Sequence, residues 1–289
     1  MNFKNILQQI EKADPEVYER LSGRRQILKS FGSKVAVAAL PLAIGSMFKK
    51  AYGRTTDVVV DALNFALELE YLEFAFYHTA NNTGNLIPAA DQPGFLTIEA
   101  HEQAHVNFLT TTITAMGGTP FVPKHFTDST TRGSFVPAAY DFTGGGAYNN
   151  VFNDYPTFLI LAEVFEDTGV RAYGGQMSAF SGNALLVQAQ QIAAVEGRHA
   201  AHIRLIRRNA GASELPAPWI TNNIPPTTAT QANYLGEDNT IQGVGAISID
   251  ITTITDGTGT VPKASATAAF DEPLDKATVT TLVSPFLKP

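Results

Sequence analysis

The chain has 289 residues, 44% of them hydrophobic and 16% charged, a balance that excludes a disordered polymer and allows a sizeable core. Its formal charge of −7 argues against nucleic acid as a partner, because phosphate binding needs a basic surface. With no cysteine, the chain has no disulfides, thiolate metal sites or cysteine nucleophiles.

The first 53 residues read as a leader. Gly23-Arg24-Arg25-Gln26-Ile27-Leu28-Lys29 sets a twin arginine before an apolar pair, an Ala-rich apolar stretch follows from Val35 to Phe48, and Lys49-Lys50 closes it. The stretch is too short to be a comfortable membrane span. The segment resembles a twin-arginine export signal, which implies an encounter with the twin-arginine translocase and a periplasmic or cell-envelope destination.

Four long helices are predicted next, about 57–80, 93–116, 156–180 and 184–208. Asn81-Asn82-Thr83-Gly84, Gly117-Gly118, Ser181-Gly182-Asn183 and Asn209-Ala210-Gly211 end them in turn. Asp154 is placed to cap the third helix, with Pro156 tolerated in its first turn. The first pair and the second pair are each joined closely enough to form a hairpin, while a Gly/Pro/aromatic stretch from about 118 to 155 separates the pairs. The expected fold is therefore all-α, a four-helix bundle with one long crossover over residues 54–210. Residues 211–289 are rich in Pro, Thr, Asn and Gly. They read as an irregular extension packed on the bundle, with little β structure: a half-buried strand over 246–251, a turn at Asp256-Gly257, and apolar docking segments at 269–274 and 283–287.

The candidate chemistry lies on the helices. Glu102-Gln103-Ala104-His105 and Glu196-Gly197-Arg198-His199 are two Glu-x-x-His motifs, each placing a carboxylate and an imidazole on one helical face. The other helix of each hairpin offers a glutamate followed seven residues later by a tyrosine: Glu70 with Tyr77, and Glu166 with Tyr173. The chain thus reads as two copies of one hairpin. Helix one is apolar nearly all round (Val58, Val59, Leu63, Phe65, Leu67, Leu69, Leu72, Phe74, Phe76), and several kcal/mol oppose burying bare carboxylates there. Two cations between them would neutralise the cluster. An oxygen-rich set with one imidazole per ion suits iron or manganese better than calcium or tetrahedral zinc. Glu73 and Glu163 compete for the positions given to Glu70 and Glu166, which are preferred because only that pairing aligns both tyrosines. His101 and His202 read as surface groups or as supports behind the ligands, and Arg171 and Arg198 are candidates to pair with ligand carboxylates.

From Thr55 to Arg208 the chain resembles the ferritin-like superfamily, close to a bacterial group similar to plant desiccation-related proteins. Leu69-Glu70-Tyr71-Leu72-Glu73 and Val195-Glu196-Gly197-Arg198-His199 carry the likeness. The resemblance implies two iron ions, with manganese as the alternative, held by Glu70, Glu102, His105, Glu166, Glu196 and His199. Glu102 and Glu196 would bridge the ions, Glu70 and Glu166 would be terminal ligands, and Tyr77 would be a neighbouring tyrosine. The implied activity is oxidation of ferrous iron or detoxification of a small oxidant, oxygen or peroxide. The alternatives are a manganese catalase-like enzyme and a non-enzymatic, stress-protective structural protein. The long crossover and the extension depart from cage-forming ferritins, which argues against a storage shell; a homo-oligomer of another kind is compatible with the resemblance.

Overall fold

The computed structural model describes residues 56–123, 139–212, 217–244, 247–255 and 259–288. The leader-like segment, most of the N-terminal half of the crossover and the Asp256-Gly257 turn lie outside the described residues. Four helices dominate: α1 Thr56–Asn81, α2 Gln92–Ala115, α3 Tyr155–Gln176 and α4 Leu186–Asn209. The third helix tightens into a 3-10 turn at Met177–Phe180, so its α-helical part stops four residues short of the expected end. Asp154 caps α3 as expected, its side chain accepting from Thr157 N at 2.9 Å, and Pro sits in the first turn.

Packing follows the apolar faces. Helix α1 pairs with α2, α3 with α4, and α1 also meets α3. No helix among the described residues is long and apolar enough to cross a membrane. Phe76 of α1 is the centre of an aromatic cluster: it stacks on Phe158 and meets Phe165 edge-on, both at 5.1 Å between centroids. Phe142 and Phe152 of the crossover also pack on Phe76, at 5.4 and 5.6 Å. Burial of these large rings is what holds the described part of the crossover across the bundle.

The extension forms the 3-10 turn Thr228–Tyr234, strands β1 Ile241–Val244 and β2 Ile247–Asp250, and helices α5 Lys263–Thr267 and α6 Lys276–Val283. The strands pair antiparallel, Ile241 with Asp250 and Val244 with Ile247. The alternation over 246–251 does mark a strand, but not a half-buried one: Ile247 and Ile249 are 61% and 47% exposed. A two-stranded hairpin has no second layer of its own, and the described residues leave the isoleucine face uncovered. Leu274, Val279, Val283 and Phe286, by contrast, join the main core. Leu274 N donates to the carbonyl of Arg171 at 3.0 Å, and Asp141 N to that of Phe286 at 2.8 Å, so the end of the chain is tied to both α3 and the crossover. Gly175 makes the first of these approaches feasible. A Cβ there would lie 1.8 Å from the Leu274 oxygen, a distance only glycine avoids.

Candidate metal centre

Each hairpin contributes one glutamate from its first helix and a Glu-x-x-His from its second. Helix periodicity brings the three side chains to one face, and packing of the hairpins brings the two sets together. Glu70, Glu102, His105 and Glu196 form one group and Glu102, Glu166, Glu196 and His199 another, the candidate ligand atoms of each lying within 4.8 Å of one another. All six residues are buried. The structure therefore gathers every residue of the expected ligand set, with Glu102 and Glu196 shared by both groups.

The shared carboxylates are divided between the histidines. Glu102 turns Oε2 to His105 Nδ1 at 3.2 Å and Oε1 to His199 Nδ1 at 2.9 Å. Glu196 turns Oε1 to His105 Nδ1 at 3.1 Å and Oε2 to His199 Nδ1 at 3.5 Å. The unshared glutamates complete the pattern, Glu70 Oε2 at 3.1 Å from His105 Nδ1 and Glu166 Oε2 at 3.2 Å from His199 Nδ1. Each Nδ1 thus faces three carboxylate oxygens. A single N–H proton cannot satisfy three acceptors, whereas a cation in the same space can be held by all of them and by the nitrogen. Glu102 Oε1 and both oxygens of Glu196 are buried and accept no directed hydrogen bond among the described residues. Buried carboxylate oxygens in that condition are costly unless a cation stands among them, so the donor set fits a pair of metal ions.

Electrostatics shows the same deficit of positive charge. Burial opposes the charged form of His105, yet its contacts with Glu102, Glu196 and Glu70 push the imidazole up to about 12. His199 is raised too, its burial outweighed by Glu166, Glu102 and Glu196. Burial lifts Glu166 to about 8 against the pull of His199, and lifts Glu102 well above the carboxylate range with the help of Glu196. Glu196, at the middle, is drawn down to about 2 by the two histidines despite its burial. Without metal, protons on the histidines do the neutralising.

The two tyrosines cross over. Tyr77 of α1 donates to Glu166 Oε1 of α3 at 2.5 Å, and Tyr173 of α3 donates to Glu70 Oε1 of α1. Each unshared glutamate is thereby fixed by the tyrosine of the opposite hairpin. The alignment that selected Glu70 and Glu166 has this physical basis. Glu163 is engaged elsewhere, paired with Arg207 at 2.6 Å and Arg204 at 3.3 Å. Arg171 does not pair with a ligand carboxylate. It meets Glu237 of the extension at 2.7 Å and donates to the carbonyls of Glu272, Asn233 and Leu235. Asp167, beside Glu166, is held by Arg204 and by the Tyr234 hydroxyl at 2.6 Å.

Two residues near the centre, both named in the sequence without a settled place, find one here. Exposed His101 lies 3.0 Å through Nδ1 from His199 Nε2, the rings stacked at 14°. It therefore occupies the nitrogen of His199 that points away from the carboxylates. Glu73 is buried, and burial first, then Glu196, Glu166, Glu102 and Glu70, keeps it well above the ordinary carboxylate range. The signal for Glu73 was available: Leu72 and Phe74 flank it in the same apolar helix that made a bare Glu70 implausible.

No curated protein matches the chain. The family model for a ferritin-like domain matches residues 58–209, which run through all four helices of the bundle. That is more than half of the sequence, and the chain belongs to the ferritin-like domain family.

Proposed function

We propose that the protein is a di-metal carboxylate protein, with iron the preferred metal and manganese the alternative, acting in oxidation of ferrous iron or removal of oxygen or peroxide. The observation that carries this reading is the division of Glu102 and Glu196 between two histidine nitrogens, the disposition of carboxylates that bridge two cations. Glu70 and His105 would hold one ion, Glu166 and His199 the other. A bound pair of redox metals supplies electron transfer to a small oxidant.

The chain's own residues supply the rest. Tyr77 and Tyr173 hold Glu166 and Glu70 in place through their hydroxyls, and His101 holds the ring of His199. Such supporting hydrogen bonds orient ligands and tune their basicity. Phe95 and Phe158, both buried, pack on the ring of Tyr77 with centroids 6.2 and 6.4 Å away, and the six candidate ligands are themselves buried. The twin-arginine-like leader supports export to the periplasm or cell envelope, a route that would let the protein leave the cytoplasm folded and loaded.

Metal content per chain, measured by elemental mass spectrometry on protein from an export-competent host, tests the reading. About two iron or manganese ions per chain are expected, with the complement lost in Glu102→Ala and His199→Ala. A wild-type protein that takes up no metal after anaerobic reconstitution with ferrous iron would overturn it. Ferrous oxidation, peroxide consumption and oxygen release by the loaded protein then separate an oxidase or peroxidase from a catalase.

A further inference from the structure

The bundle is packed differently on the two sides of the centre. On one side the ring of Tyr77 lies against Phe95 and Phe158, and those two meet each other at 5.0 Å between centroids. All three are fully buried, and their rings fill the bundle there. On the other side the aromatic plug gives way to smaller side chains. Leu63 and Ala66 precede Glu70 by seven and four residues, and Ala189 and Ile192 precede Glu196 by the same intervals. Leu109 follows His105 by four, and Tyr173 follows Glu166 by seven. At helical spacing each stands on the face of its own ligand, one or two turns along. Neighbouring helices run in opposite directions, so steps back along α1 and α4 and forward along α2 and α3 reach the same end.

These six residues line one cavity. The room for the centre of a water-sized molecule is about 10 Å³, enough for a single small guest. Two alanines among the liners leave the space open. Phe108 and Gln188, both half-buried, border it on the side nearer solvent. Tyr173 is the wall shared with the centre, because its hydroxyl donates to Glu70 Oε1. A water would need two to four polar partners, whereas five of the six liners are aliphatic and the Tyr173 hydroxyl is already committed. A void of this kind stays dry and takes apolar guests.

We propose that this cavity is the entry and holding site for dioxygen, and that the route delivers dioxygen, not peroxide, to the centre. The inference deepens the di-metal reading above and rests on it. Dioxygen is apolar and gives up no hydrogen bonds on leaving water. Peroxide donates and accepts at both oxygens, and five aliphatic walls return none of those bonds. Dioxygen takes two electrons, one from each of two ferrous ions, with two protons from solvent, and leaves as hydrogen peroxide. Peroxide takes the same electrons and protons and leaves as two waters, so the two oxidants can be compared on one ferrous-loaded protein. Ala66 and Ala189 are specificity residues in this scheme: they touch neither metal nor ligand proton, and their small size keeps the passage open.

Xenon, an apolar probe with no redox chemistry, tests the site without metal. Crystals of metal-free protein under xenon pressure are expected to show one atom among Leu63, Leu109, Ala189 and Ile192, and Ala189→Leu is expected to lose it. In stopped flow, Ala189→Leu loaded anaerobically with ferrous iron is expected to react severalfold more slowly with dioxygen. Its metal content and its rate with peroxide are expected to match the wild type. Circular dichroism checks that the variant is folded, and Ala66→Leu, which fills the same void from α1, carries the test if it is not. No xenon in the wild-type cavity would overturn this inference and leave the di-metal reading standing. So would a filled variant whose dioxygen rate is unchanged, or one that slows both oxidants equally. A wild-type protein that takes up no ferrous iron would remove the di-metal reading and this inference with it.

Discussion

The hydroxyl of Tyr77 donates a 2.5 Å hydrogen bond to Glu166 Oε1, joining residues 89 positions apart across the two hairpins. Tyr173 makes the reciprocal bond to Glu70. Replacing Tyr77 by phenylalanine leaves a buried carboxylate oxygen without its donor, which costs about 1–3 kcal/mol. Tyr77→Phe should lower the melting temperature of the metal-free protein and weaken metal binding about tenfold or more. Thermal melts and Co²⁺ titration measure the two effects. An unchanged affinity would mean that the phenol is only a core aromatic.

Metal binding should strengthen as pH rises. In the metal-free protein His105 is raised to about 12 and Glu166 to about 8, so both carry protons at neutral pH. A metal ion must displace such protons to reach their lone pairs. The apparent dissociation constant should therefore fall about ten- to hundredfold per pH unit between about pH 6 and pH 8, for one or two protons released. A pH-independent constant, or no proton release in weakly buffered calorimetry, would contradict the ligand assignment.

The metal-free protein should lose stability over the same interval. Glu166 rises from an ordinary 4.5 to about 8 on folding, and His105 from 6.5 to about 12. A raised folded value contributes stability that is present below the unfolded value and lost as pH climbs through the folded one. Glu196, drawn down to about 2, has the opposite sign and loses its contribution only in strong acid. The melting temperature of metal-free protein should fall from about pH 5 to pH 8. Metal-loaded protein, whose carboxylates are neutralised by cations, should not show that fall.

His101 occupies Nε2 of His199 and so leaves Nδ1 facing the carboxylates. His101→Ala should weaken metal binding about tenfold. His101→Gln, which retains a hydrogen-bonding group, should recover part of the affinity. Because His101 is exposed, the melting temperature of the metal-free variant should change little.

Arg171, 1% exposed, ties the extension to α3 through Glu237 and three carbonyls. Arg171→Ala strands the Glu237 carboxylate and should cost about 3–5 kcal/mol, the range for breaking a buried ion pair. Lysine at that position keeps the charge but not the fork of donors, and should restore only part of the loss. Gly175→Ala should also loosen the extension, since its methyl would overlap the Leu274 carbonyl. Chemical denaturation and limited proteolysis within 217–288 report both.

The bundle and most of its centre were legible because their signals are local. Glu-x-x-His places its two groups on one face whatever the tertiary context, and a glutamate amid Leu69, Leu72 and Phe74 cannot be a solvated surface group. The same argument applied equally to Glu70 and Glu73. Treating them as rivals hid the fact that both are buried, one as a ligand candidate and one against Gly169. What stayed illegible depends on distant partners. Nothing near Arg171 in sequence announces Glu237, 66 positions later, or the turn of chain around Asn233 and Leu235. The exposure of Ile247 and Ile249 was hidden for a related reason. Alternation reveals the two faces of a strand but not whether another layer covers either of them.

The grip of Arg171 also has an evolutionary side. Three of its contacts fall on main-chain oxygens, at Asn233, Leu235 and Glu272, which every amino acid supplies. The guanidinium recognises the course of the backbone there and is blind to which side chains the backbone carries. Natural variants could therefore change residue 235 while the route of the segment is preserved, whereas Asn233 and Glu272 carry side-chain bonds of their own, to Thr168 and to Asn239 and Gln242, and Arg171 and Glu237 would have to change together. A segment fastened in this way can diversify its outward surface without releasing its hold on the helix that carries Glu166.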